Sequence, residues 1–201
     1  MKDEGFEKIL EGIRQELLKA NQHFKICWSI RLASGDEAKA REVYLTFFYY
    51  TMWSHNDRFC IGIYNLVKPD RYTANFTKLF NYIRSSDSLS KIFEQKEISE
   101  MKATIQSHSS LLNKIKVIRN QYVAQNPVKK KHLEGETTYK YEEGKQLLED
   151  LNNIVNRLLL KYASNTFSFD VSPRLNVEDM LRHLTEYRNE QITKRRQGVS
   201  S

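Results

Sequence analysis

From Leu89 to Tyr122 apolar side chains recur at three- and four-residue spacing, and neither glycine nor proline interrupts the stretch. Leu89, Ile92, Phe93, Met101, Ile105, Leu112, Ile115, Ile118 and Tyr122 fall along one face of a helix, and His108 lies on the same face. A strand alternates with period two and cannot keep this pattern. The whole chain has 7 Gly and 3 Pro in 201 residues, too few for the turns of a many-stranded fold. An all-α protein is expected.

The same periodicity organises the rest. Residues 3–20 predict an amphipathic helix on Phe6, Ile9, Leu10, Ile13 and Leu17. Its pattern resumes at Phe24, Cys27, Trp28 and Leu32, as a second helix or a kinked continuation. Ser34-Gly35-Asp36 is a break, with Ser34 or Asp36 placed to cap the next helix. Residues 37–67 predict the most apolar helix. Val43, Phe47, Tyr50, Met52, Phe59, Ile63 and Leu66 form its stripe, with Tyr44, Phe48 and Trp53 on the flanks. A helix apolar over so much of its circumference suits a bundle centre or a dimer interface. His55, Asn56, Asp57 and Arg58 read as a polar turn, and Gly62 marks a close helix contact.

Lys68-Pro69-Asp70-Arg71 is a turn, and Thr73 is the expected N-cap of a helix over 74–85 built on Phe76, Leu79, Phe80 and Ile83. Past the long pattern of 89–124 come a polar loop over 126–138 and a helix over 139–163. Leu147, Leu148, Leu151, Ile154, Val155, Leu158 and Leu159 are its inner face. An extended linker over 165–175 and a short helix over 177–187, capped by Asn176, complete the order. The sum is a single all-α bundle of five to seven helices over residues 1–190, then a basic, disordered tail at 191–201.

Composition narrows the chemistry. The balance of 32 Lys+Arg against 25 Asp+Glu gives a net charge of +7, which favours a polyanionic partner. Cys27 and Cys60 form no CxxC spacing and read as buried reduced thiols. No Gly-rich phosphate loop, HExxH or Gly-x-Ser-x-Gly motif occurs, so no metal or other cofactor is expected. The charged N-terminus lacks the apolar stretch of a signal peptide, and no apolar run is long enough to span a bilayer. A cytoplasmic protein without a membrane partner is expected.

The candidate chemistry lies at the end of the long pattern. Arg119 and Asn120 sit off the stripe of Ile115, Ile118 and Tyr122, where Asn126-Pro127 forces the helix to stop near Gln125. A guanidinium and an amide at such an end suit a phosphate. Taken alone, Arg119 is equally a cation that complements the helix C-terminus. Lys129, Lys130, Lys131 and His132 come next; such a run is commonly a solvated loop, and its place directly after Arg119 also makes it a candidate clamp for a phosphate backbone.

The segment Arg119-Asn120-Gln121-Tyr122-Val123-Ala124-Gln125 resembles the signature of the HEPN superfamily, an arginine and a polar residue followed by alanine and histidine. The order of the aromatic-rich helix, residues 73–83, the helix near Tyr139 and the Asn-Val-Glu-Asp-Met-Leu start of the last helix resembles the AbiU-like, abortive-infection branch. The resemblance implies metal-independent RNA cleavage in which arginine binds phosphate and histidine moves protons. Here Gln125 stands at the histidine position. Glutamine cannot titrate, and loss of an acid–base group costs on the order of 100- to 10,000-fold in rate.

The implied protein binds RNA in a phage-defence or toxin–antitoxin setting, as a homodimer or with an antitoxin partner. Arg119, Asn120 and Gln125 are its degenerate catalytic set, with weak or no cleavage. Two alternatives stand beside it. One is an active metal-independent endoribonuclease with His132 as the acid. The other is a non-catalytic helical interaction or dimerisation protein that uses the aromatic face at 44–59.

Overall fold

The computed structural model describes residues 3–70, 72–122, 138–170 and 177–198. Among them all regular structure is α-helical, in nine helices rather than five to seven. These are α1 (Glu4–Leu32), α2 (Gly35–Val43), α3 (Leu45–Val67), α4 (Phe76–Ser85), α5 (Asp87–Ile92), α6 (Gln95–Ser107), α7 (Ser109–Tyr122), α8 (Tyr141–Ala163) and α9 (Val177–Gly198).

The extra helices come from breaks that an apolar pattern does not register. Up to Tyr122 the stretch that begins at Leu89 is divided among three helices, because Phe93 is extended (φ −108°, ψ 112°) and His108 turns (φ −87°, ψ 13°). The Glu94 N–H donates to Glu97 Oε2 at 2.9 Å and opens α6 with a capping box. Residues 37–67 break at Tyr44 (φ −108°, ψ 35°). That break shifts the phase of the helix, so Phe48 turns inward and is 1% exposed while Phe47 is 59% exposed. Val43 and Tyr50, expected in the stripe, also face outward. α1, by contrast, is one helix from Glu4 to Leu32, which decides for the continuation over a second helix. Asn75, not Thr73, caps α4, accepting from the Lys78 N–H at 2.8 Å. Its own amide donates to the Asp70 and Thr73 carbonyls, which satisfies a side chain with no exposure at all.

The chain divides into two compact units, Met1–Gln22 with Asp57–Asp170 and His23–Asn56 with Val171–Ser201. Both α1 and α3 run through the division. In the first unit the predicted stripe of α1 is buried, with Phe59, Ile63 and Leu66 of α3, Leu79, Phe80 and Ile83 of α4, and Leu147, Leu151, Val155 and Leu158 of α8. Phe6 stacks between Phe93 and Tyr162, at 5.6 and 4.6 Å between ring centroids. Cys60 is buried here and forms no disulfide. Gly62 is buried against α1, where a Cβ would stand 3.7 Å from that of Ala20, and a tighter approach occurs at Gly12, where a Cβ would stand 2.6 Å from that of Ala74.

The second unit has a smaller core of Ile30, Phe48 and Leu181, flanked by Ile26, Met52 and Leu184. Its Cys27 is also buried and outside any disulfide. α2 packs against α9, and Arg41 Nη1 donates to the Ile30 carbonyl at 3.0 Å. The segment expected as a disordered tail continues α9 to Gly198. No glycine or proline breaks it earlier, and Lys194 pairs with Glu190 one turn back at 2.7 Å.

Candidate functional site

α7 carries Arg119 in its last turn, beside the C-terminal turn of α3. The guanidinium of Arg119 lies 5.0 Å from the ring centroid of Tyr64 on α3. Its Nη1 donates to Asn120 Oδ1 at 3.1 Å, so the two motif residues meet each other. Arg119 is half-buried and Asn120 exposed. A second cation reaches the same ring, with Lys68 Nζ 5.4 Å from the Tyr64 centroid. Helical geometry brings it there. The Lys68 N–H closes the last turn of α3 on the Tyr64 carbonyl at 2.9 Å, which sets the two side chains on one face. Pro69 then prevents the helix from continuing.

Among the described residues no carboxylate forms an ion pair with Lys68 or Arg119. Lys114, earlier on α7, differs. Its Nζ is 3.1 Å from Glu143 Oε1 on α8. The backbone N–H of Lys140 and then Lys114 hold the Glu143 carboxyl below its ordinary range. Lys114 therefore ties two helices together, while Arg119 keeps its charge available.

An open groove of about 490 Å³ is lined mainly by α4, α6 and α7, with Val67 from the end of α3. Val67, Phe76, Phe80 and Leu112 form its apolar floor, and Lys102 and Asn113 stand on its rim. A volume of this order accommodates one small molecule or one nucleobase.

Sequence reasoning named Arg119 and Asn120 and missed Tyr64 and Lys68, whose only local signal is the turn after α3. Gln125, Lys129, Lys130, Lys131 and His132 lie outside the described residues. Two other histidines are engaged elsewhere. His108 Nε2 is 2.8 Å from Asp150 Oδ2, a hydrogen-bonded position on the inner side of α8. His55, expected in a polar turn, is inside α3, with its Nδ1 2.7 Å from Nδ1 of His23. Burial pushes the His55 pKa down. Among the described residues no three His, Cys, Asp or Glu side chains gather as a metal site, and no helix is long and apolar enough to cross a membrane.

No family model, no curated protein and no solved structure matches the chain.

Proposed function

We propose that this chain is a HEPN-like, AbiU-like RNA-binding protein of a phage-defence or toxin–antitoxin system. In this reading the motif arginine binds phosphate, and Gln125 in the histidine place leaves weak or no cleavage. The observation that carries the reading is the state of Arg119. It is half-buried, oriented by Asn120 and the Tyr64 ring, and without a carboxylate partner among the described residues. A guanidinium positioned in this way is suited to two parallel hydrogen bonds with a phosphodiester. The net charge of +7 adds a general attraction for polyanions.

Two measurements test it. Anisotropy titration of a labelled single-stranded RNA should give an affinity that falls steeply with salt. Arg119→Ala should weaken it roughly tenfold or more, the scale of a charge-assisted hydrogen bond. Equal binding by the variant would remove the reading. A paired cleavage assay on total RNA without metal ions should find cutting only after Gln125→His. Cutting by both forms would favour the active endoribonuclease with His132 as its acid.

A second reading, an interaction or dimerisation protein, is favoured by the exposure of Phe47, Tyr49 and Tyr50. Contiguous exposed aromatics of this kind mark contact surfaces.

A further inference from the structure

Two cations converge on one aromatic ring in the first unit. Lys68 and Arg119 each lie near Tyr64, at 5.4 and 5.0 Å from its centroid. The distance between them is therefore at most about 10 Å, one Debye length at moderate salt. Each has a reason to sit at a helix C-terminus, where a cation complements the dipole. The dipoles account for each charge separately; they do not account for two charges sharing a ring with no carboxylate between them among the described residues. The ring attracts both through its negative face, and an anion bound between them would relieve their mutual repulsion.

The groove adds a second element. Val67, on its floor, is the residue before Lys68, and Asn113, on its rim, is on α7 with Arg119. Leu112, on the groove floor, is seven residues before Arg119, so the two lie on one face of α7 about 10 Å apart along its axis. The floor is apolar and aromatic, and the rim offers the amide of Asn113, which can donate and accept at a base edge. A stacked duplex cannot place a base in such a groove, but a single strand can.

We propose that Lys68, Tyr64 and Arg119 form a phosphate site, and that the groove floored by Val67, Phe76, Phe80 and Leu112 receives the adjoining base of a single-stranded RNA. This rests on the RNA-binding reading and adds Lys68, Tyr64 and the groove to it. Lys68 is a binding residue with no part in proton transfer.

The test uses the full-length chain, a labelled short single-stranded RNA, AMP and inorganic phosphate. Lys68→Ala should weaken RNA binding about three- to tenfold at moderate salt and reduce the salt slope by about 0.7, the share of one phosphate on a single strand. Lys68→Arg should restore both. Asn113→Trp, which fills the groove from an exposed position, should weaken binding while leaving the salt slope unchanged. Lys91→Ala on α5 serves as the charge control, and thermal melting confirms that each variant folds. RNA binding that is weakened by Arg119→Ala but indifferent to Lys68→Ala and Asn113→Trp would overturn this site and leave the RNA-binding reading standing. A wild-type chain that binds no RNA would overturn both. AMP bound as tightly as the RNA would overturn the single-strand assignment in favour of a free nucleotide. Inorganic phosphate competing as well as AMP would remove the groove from the site.

Discussion

Over residues 57–67 of α3, Phe59, Cys60, Ile63 and Leu66 are buried, whereas earlier in the same helix Phe47, Tyr49 and Tyr50 are more than half exposed. Both halves are rich in aromatic and aliphatic side chains, and residues 43–53 hold no charge at all. The difference lies in what surrounds them. Within its unit the second half meets Ala20 of α1 beside Gly62, Tyr139 against Phe59 and Arg119 of α7 over Tyr64. Within the other unit the first half meets the smaller core around Ile30, Phe48 and Leu181, and Phe48 alone of its four consecutive aromatics enters it. Apolar content thus permits burial, and the number of packing neighbours decides it. It also divides one helix into a packed half that ends at Tyr64 and Lys68, beside Arg119 of α7, and a half whose aromatic side chains are exposed.

The largest test of this contrast is Phe59→Ala. A fully buried phenylalanine leaves a cavity that the surrounding helices cannot close, so the variant should lose about 3–5 kcal/mol in chemical denaturation. A loss below about 1 kcal/mol would mean that the second half is not the packed one.

An intermediate effect is expected at His55, where the polar residues begin. Its pKa is depressed in the folded state by burial, below the ordinary 6.5. The unfolded chain then binds more protons, so stability is fully present above pH 6.5 and is lost as pH falls through the window beneath it. The short contact with His23 works in the same direction, because two protonated Nδ1 atoms cannot share one hydrogen bond. His55→Gln should therefore flatten the decline in melting temperature as pH falls below 6.5. An unchanged decline would assign the acid sensitivity to other groups.

The smallest effect is expected in the exposed half. Tyr50→Ser, at a residue 68% exposed, should change stability by no more than about 0.5 kcal/mol. If it also abolishes self-association in sedimentation, the aromatic face is a contact surface. If stability drops by several kcal/mol, the contrast between the two halves fails.

The candidate site was only partly legible in the sequence. Arg119 and Asn120 are adjacent, and their place off the apolar stripe can be read from spacing alone. Tyr64 and Lys68 could not be paired with them, because they lie on another helix and nothing in a local window links residue 64 to residue 119. The capping of α4 was missed for a related reason. Thr73 and Asn75 are both plausible caps by residue type. Asn75 prevails because its amide also reaches the Asp70 and Thr73 carbonyls once the loop is folded.

What the sequence determined by itself is the helical class, the inner faces of α1, α4 and α8, and the burial of both cysteines. Each arises from a local period of apolar residues that any compact partner will bury. The breaks at Tyr44 and His108 were decided by tertiary structure, as were the inward turn of Phe48, the contact of His23 with His55 and the meeting of Lys68 and Arg119 on Tyr64. These depend on which helix lies against which. Side chains far apart in the chain acquire a common environment only when the packing of whole helices has fixed their separation.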